Sequence, residues 1–164
     1  MSLLSKIQTE LSAPKNQYNS FGKYKYRSLE DIFEGLKPLL KKYECSVSVS
    51  DEIVSIPCDE EVLYADKSGK VLGTQKIGNR VYIKATAKLI DSDGKIVSEN
   101  TGWAREESSK KGMDVSQVTG ATSSYARKYA LNGLFAIDDV KDADSMDNSV
   151  KKTTPKPPKK DDDW

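Results

Sequence analysis

No histidine occurs anywhere in the 164 residues. Its absence removes the Ser-His-Asp triad, histidine-based zinc sites and the commonest general base. Cysteine is scarce, with only Cys45 and Cys58. Two isolated thiols in a chain without histidine fit a reducing compartment. They would bridge only if the fold brought them together. No phosphate-binding loop G-x-x-x-x-G-K-[ST] is present. Gly94-Lys95 is followed by Ile96 and Gly69-Lys70 by Val71, and no G-x-G-x-x-G occurs. These gaps argue against an ATPase or a nicotinamide-dependent enzyme. No apolar run approaches the ~18 residues of a membrane span. Met1-Ser2-Leu3-Leu4-Ser5-Lys6 lacks the basic region and apolar core of a signal peptide. A soluble cytoplasmic protein is the expectation.

Apolar residues are also few, at 37%, while 31% are charged. The polarity gathers at the C-terminal end. From Ala136 onward there are eight Asp and six Lys, a net of −2. The preceding 135 residues hold 20 Lys+Arg against 17 Asp+Glu, a net of +3. That body charge is too small to argue for nucleic acid by itself, so local patches must carry any such reading.

Leu3, Leu4, Ile7 and Leu11 fall at helical spacing, which predicts a short amphipathic helix over residues 2–12. Ser28-Leu29-Glu30-Asp31 has the form of a capping box. Leu29, Ile32, Phe33, Leu36, Leu40 and Tyr43 mark one face of the helix that follows. Pro38 is expected to kink or restart it. From Cys45 the period changes to two, and Cys45, Val47 and Val49 alternate with serines as in a half-buried strand. Residues 51–79 give no clean pattern. Ile53, Val54 and Ile56 extend the strand, Pro57 interrupts it, and Glu61-Val62-Leu63-Tyr64 is a candidate to pair beside it.

Val81 to Ile90 alternates clearly, with Val81, Ile83, Ala85, Ala87 and Leu89 on one face. Asp93-Gly94 is a favoured two-residue hairpin turn, although a four-residue turn stays open. The two-residue turn opposes Lys88 to Glu99, Thr86 to Thr101, Lys84 to Trp103 and Tyr82 to Arg105. These are an ion pair, a Thr pair and two cation–aromatic pairs, all on the face opposite Ile83 and Ala85. Asp114-Val115-Ser116-Gln117 is a second capping-box form. Val118, Ala121, Thr122, Tyr125 and Tyr129 would form the inward stripe of the third helix, with Asn132-Gly133 as its stop. Small residues such as Gly120, Ala126 and Ala130 let that helix lie close to a sheet. From about Asp142 the chain is Asp, Ser, Lys, Thr and Pro, a composition that cannot bury a core. The expected fold is α+β: an antiparallel meander with a long helix packed on one face, ending in a disordered tail. The domain is expected to span 1–141 and the tail 142–164.

Three patches combine cations with aromatics or loops. In Phe21-Gly22-Lys23-Tyr24-Lys25-Tyr26-Arg27 the two types alternate. Extended, the stretch puts Lys23, Lys25 and Arg27 on one side and Tyr24 and Tyr26 on the other. Single-strand binders join stacking aromatics to cations that track phosphates. The plainer alternative is tyrosines in the core with solvated cations. The face of Tyr82, Lys84, Trp103 and Arg105 is the second patch, against an ordinary solvated sheet face. Lys110-Lys111 and Arg127-Lys128 around the third helix are the last, against an exposed helix and a basic loop. Asp138, Asp139, Asp142 and Asp144 raise the question of a metal. They lack the glycine turn and twelfth-position Glu of a calcium loop, and such a run is more often a solvated boundary.

Two blocks carry a family resemblance. The first is Tyr24-Lys25-Tyr26-Arg27-Ser28-Leu29-Glu30-Asp31-Ile32 with Leu36-Lys37-Pro38-Leu39-Leu40. The second is Gly102-Trp103-Ala104-Arg105-Glu106-Glu107, Thr119-Gly120-Ala121 and Ser123-Ser124-Tyr125-Ala126-Arg127-Lys128-Tyr129-Ala130-Leu131, with Asp138-Asp139 and Asp142-Ala143-Asp144. The chain resembles the phage essential-recombination-function (ERF) family of annealing proteins. That resemblance implies a non-enzymatic single-stranded-DNA-binding protein that anneals complementary strands without ATP or any cofactor in phage homologous recombination. It implies rings or filaments of one chain, a fold similar to the eukaryotic annealing recombinases, and work in the bacterial host cytoplasm. A metal-dependent nuclease and a passive single-strand protector are the alternatives. At the end of the chain, Asp161-Asp162-Asp163-Trp164 on a Pro-rich spacer looks like the acidic tips of bacterial single-strand-binding proteins. It is a candidate to recruit a host replication or recombination protein, or to compete with DNA for the basic groove.

Overall fold

The computed structural model describes residues 1–20, 23–66, 68–107 and 114–137. Phe21, Gly22, Lys110, Lys111, the aspartates at 138–144 and the tip 161–164 lie outside them, as do all expectations placed there. The elements run α1 (Leu3–Glu10), β1 (Gln17–Asn19), β2 (Tyr24–Tyr26), α2 (Leu29–Lys42), β3 (Ser46–Ala65), β4 (Val71–Ile90), β5 (Ile96–Arg105) and α3 (Val115–Phe135). The fold is α+β, as its patterning predicts. β3, β4 and β5 form an antiparallel meander, and β1 and β2 a separate small hairpin. No described helix is long and apolar enough to cross a membrane.

Both capping boxes form. The Ser28 hydroxyl accepts from the Asp31 amide at 3.1 Å, and the Asp31 carboxylate accepts from the Ser28 amide at 2.7 Å. Asp114 and Gln117 exchange the equivalent pair at the start of α3. Each box satisfies amides that the first helical turn leaves without intrahelical partners. Pro38 does not divide its helix: α2 continues through it to Lys42. Nor does Asn132-Gly133 stop α3, which reaches Phe135 and ends at Ala136 in a left-handed cap, φ 52°. Leu134 and Phe135 are buried in the core. Their burial explains why the last turn is kept despite the glycine.

The core lies between one sheet face and the helices. Ile83, Ala85, Ala87 and Leu89 of β4 are buried against Ala126, Ala130, Leu131, Leu134 and Phe135, with Ile7, Ile32 and Leu36 in the same cluster. The inward stripe of α3 differs from the expected one. Val118, Thr122, Ala126 and Ala130 face the sheet, whereas Tyr125 and Tyr129 are 48% and 47% exposed. The cause is close approach. A Cβ on Gly102 would overlap the Ala126 carbonyl oxygen and Ala130 amide nitrogen and sit 2.8 Å from the Tyr129 Cβ. Only alanine fits where α3 crosses Gly102, so the tyrosines turn to the rim.

The register of β4 against β5 is the expected one: Lys88 opposes Glu99, Thr86 Thr101, Lys84 Trp103 and Tyr82 Arg105. The turn that produces it is not. Asp91 pairs with Lys95 around a three-residue loop, in which the Gly94 amide donates to the Asp91 carbonyl at 3.1 Å and Gly94 has φ 79°. A three-residue loop would displace the register by one. An irregularity between Leu89 and Ile90 displaces it back. Two departures from the simple hairpin cancel. The β3–β4 tip repeats the device: the Gly69 amide donates to the Asp66 carbonyl at 3.0 Å, with Gly69 at φ 89°.

Residues 51–79 are the largest addition to the sequence reading. β3 continues through Pro57 to Ala65, and β4 begins at Val71, not Val81. The register shifts between Pro57 and Glu60, where a bulge tolerates a residue that cannot donate to the ladder. β5 ends opposite Tyr82, so the distal part of the β3–β4 hairpin is a two-stranded ribbon without a third strand. Glu60 secures its base, accepting from Arg80 Nε at 2.7 Å and Arg105 Nη2 at 3.3 Å.

A second fastening joins β3 to α3. Arg127 Nε donates to both Asp51 carboxylate oxygens at 3.0 Å, and the Ser123 hydroxyl donates to Asp51 Oδ2 at 2.6 Å. Burial alone would raise the Asp51 carboxyl, but the Arg127 and Ser123 hydrogen bonds outweigh it and hold the group below its usual range. A depressed folded value stabilises the protein above the unfolded carboxylate pKa, near 4, and the benefit is lost as pH falls through the folded value. Asp51→Asn is therefore expected to lower the melting temperature at pH 7 and to melt like the parent once the parent's Asp51 is protonated in the folded and unfolded states alike. A melting difference independent of pH would contradict this.

Candidate nucleic-acid interface

The strongest chemical surface is a cleft between the β1–β2 hairpin and the outer side of α3. The hairpin is tied down from several directions. The Arg27 guanidinium donates to the Ala13 carbonyl, Gln17 Nε2 donates to Asp31 at 3.2 Å, and Asn19 Nδ2 donates to the Tyr24 hydroxyl at 3.2 Å. Asp31, which caps α2, is thereby held below the usual carboxylate range. The Ser28 amide bond is the main cause, with Gln17 contributing. The hairpin is thus positioned by the same residue that starts α2.

Tyr24 and Tyr26 meet edge to face, ring centroids 6.3 Å apart. Across from them Tyr125 and Tyr129 are tilted at 39° with centroids 6.2 Å apart, and Lys128 Nζ lies 4.3 Å from the Tyr125 ring centroid. The cleft encloses about 460 Å³. Its described lining includes four tyrosines (24, 26, 125, 129) and four cations (Lys15, Lys25, Arg27, Lys128), and no carboxylate. Asn19, Ile32 and Asn132 complete the described wall. Flat rings beside cations, without acids, can stack bases while neutralising phosphates.

Two of the three sequence patches therefore meet here, Tyr24 to Arg27 and Lys128, although more than 100 residues separate them in the chain. Lys23 is exposed in the turn before β2, with φ 53°. Arg127, next to Lys128, points away to Asp51. Tyr125, Tyr129 and Lys15 were not singled out for this role from sequence. The signal was the i, i+3, i+4 spacing of Tyr125, Lys128 and Tyr129, which puts an aromatic–cation–aromatic set on one helix face.

The second patch, on the open sheet face, is electrically different. Lys84 Nζ stands 5.7 Å from the Trp103 ring centroid, and its charge is met by Glu52 at 3.2 Å. Tyr82 packs edge to face on Trp103 at 6.5 Å, not on Arg105. Arg105 turns to Glu60 because a carboxylate offers a stronger partner than a ring. Trp103 also borders a second groove of about 340 Å³ between β5 and α3, lined by Ala104, Arg105, Glu107, Val118, Ala121, Thr122, Tyr125 and Tyr129. Tyr125 and Tyr129 form the ridge between the two. Among the described residues no group of three or more Cys, Asp or Glu is arranged to hold a metal, and both cysteines are free thiols.

No solved structure matches the chain. The essential recombination function protein of Salmonella phage P22 is 55% identical over 145 residues, covering 88% of this chain and 58% of that protein. The chain thus spans less than two thirds of that relative's length. The ERF superfamily profile matches residues 2–163. A profile match over nearly the whole chain, with a relative of that identity, places the chain in the ERF superfamily.

Proposed function

We propose that this protein binds single-stranded DNA in the cleft between β2 and α3 and promotes ATP-independent annealing in phage recombination. The observation that carries the reading is the pairing of four tyrosines with four cations in one cleft whose described lining holds no carboxylate. The name of the P22 relative, an essential recombination function protein, agrees with a recombination role. The described part of the cleft lacks any acid that would repel phosphate. Cations neutralise the backbone, rings hold it extended, and the pairing edges of the bases stay available to a complementary strand. Base pairing supplies the free energy, so no nucleotide need be hydrolysed. The body's net charge of +3 is small for one protomer to hold a long strand. Copies in a row raise the effective concentration of each modest site, which favours a homo-oligomer.

Annealing of complementary fluorescent oligonucleotides, with and without EDTA and without nucleotide, tests this directly. Accelerated duplex formation in both conditions is expected. Strand cleavage abolished by EDTA would identify a nuclease instead. Tight binding that slows annealing would identify a protector.

A further inference from the structure

Near its turn the distal β3–β4 ribbon exposes large apolar side chains on both faces, since the neighbours Leu63 and Tyr64 point to opposite sides. Leu63 is 71% exposed, Leu72 55%, Val71 52% and Tyr64 46%. Ordinary solvated ribbons do not gather such residues at the tip, and a two-stranded hairpin is marginal in water without something to pack on. From Tyr82, where β5 ends, to Val71 is 11 residues. At about 3.3 Å per residue the tip stands roughly 36 Å from the body.

The same chain carries a surface of matching chemistry. The groove of about 340 Å³ beside β5 is lined mainly by Trp103, Val118, Ala121, Thr122 and the tyrosine ridge. Of its two charged residues, Arg105 is already paired with Glu60. Among the described residues no strand pairs with the outer edge of β5, so its backbone groups are open to an added strand. The groove sits at the ribbon's base, next to Arg105, so the tip of an extended ribbon is too far away to fill the groove of its own chain.

We propose that the ribbon tip, Leu63, Tyr64, Val71 and Leu72, docks in the Trp103–Ala121 groove of a second copy of this chain. The contact is heterologous: each copy offers a tip at one end and a groove at the other. Repetition runs head to tail, closing into a ring or continuing as a filament. The proposal rests on the assembly reading above and gives that reading its surfaces. It also puts the neighbour's ribbon against the ridge of Tyr125 and Tyr129, so assembly would meet the DNA cleft at each junction.

Light scattering on the full chain tests it with a tip variant, Leu63→Glu/Leu72→Glu, and a groove variant, Ala121→Glu. The tip positions are exposed, so the fold should tolerate the change; circular dichroism checks this. The parent should form a higher oligomer at micromolar concentration and each variant alone a monomer. Mixed one to one, they should stop at a dimer, because one intact tip meets one intact groove. A parent that assembles together with a folded tip variant that assembles equally well overturns the ribbon contact and leaves the assembly reading standing. A mixture that stays monomeric overturns the head-to-tail arrangement. A parent that is monomeric with and without DNA overturns both.

Discussion

Gly102→Ala is expected to destabilise the protein by about 1–3 kcal/mol, the usual cost of forcing atoms into a packed contact. The added methyl would meet backbone atoms of Ala126 and Ala130, and Tyr129 Cβ, all closer than a Cβ can approach. Backbone cannot rotate away as a long side chain does, so α3 must lift from β5. That movement loosens the contacts of Ala126, Ala130 and Leu131, all fully buried. For a chain of this size the melting temperature should fall by roughly 2–4 °C per kcal/mol. Gly120→Ala supplies the contrast. A Cβ at Gly120 meets nothing within 4 Å. Alanine there should leave stability unchanged or raise it by about 0.5–1 kcal/mol, since glycine is the poorer helix former. Equal melting temperatures for the parent and Gly102→Ala would show that the helix–sheet spacing gives way more easily than the geometry indicates.

The second large effect belongs to the tyrosine ridge. Tyr125→Ala and Tyr129→Ala are each expected to weaken single-strand binding by about 1–3 kcal/mol, the range for a lost base–aromatic stack. Stability should change little, because both rings are nearly half exposed and α3 keeps its inward stripe of Val118, Thr122, Ala126 and Ala130. Tyr24→Ala and Tyr26→Ala should act in the same direction, with a larger structural component at Tyr24, whose hydroxyl receives the Asn19 hydrogen bond. The cations should give a different signature. Lys25→Ala and Lys128→Ala should each reduce the slope of log affinity against log salt by about 0.7, one phosphate contact on a single strand. Fluorescence anisotropy over a salt series measures both. If Tyr125→Ala/Tyr129→Ala binds as tightly as the parent while folded, the cleft is not the DNA site. Attention would then pass to the Lys84–Trp103 face, whose charges are tied to Glu52 and Glu60.

Local chemistry determined much of this protein before any tertiary contact. Both capping boxes are spelled in four consecutive residues, so their helices start where the sequence says. The β4–β5 register follows from alternation on a strand with one buried face, because a one-residue slip would expose Ile83, Ala85, Ala87 and Leu89 together. That constraint is stronger than turn chemistry, so the three-residue loop leaves the register intact. The aromatic–cation stretch from Tyr24 to Arg27 was also legible, since its pattern lies within a few residues.

Tertiary structure decided the rest. Alternation cannot reveal a ribbon like the distal β3–β4 hairpin, where both faces meet solvent and no side is obliged to be apolar. Pro57 reads as a break in sequence, yet a bulge absorbs it in the folded chain. The direction of Tyr125 and Tyr129 depends on how closely α3 approaches Gly102, a distance set by residues on two elements and visible from neither. Arg105 and Arg127 were candidate phosphate ligands until the fold brought Glu60 and Asp51 beside them. The cleft itself, joining Tyr24 to Tyr129, exists only because the β1–β2 hairpin is tied to α2 and α2 packs against α3.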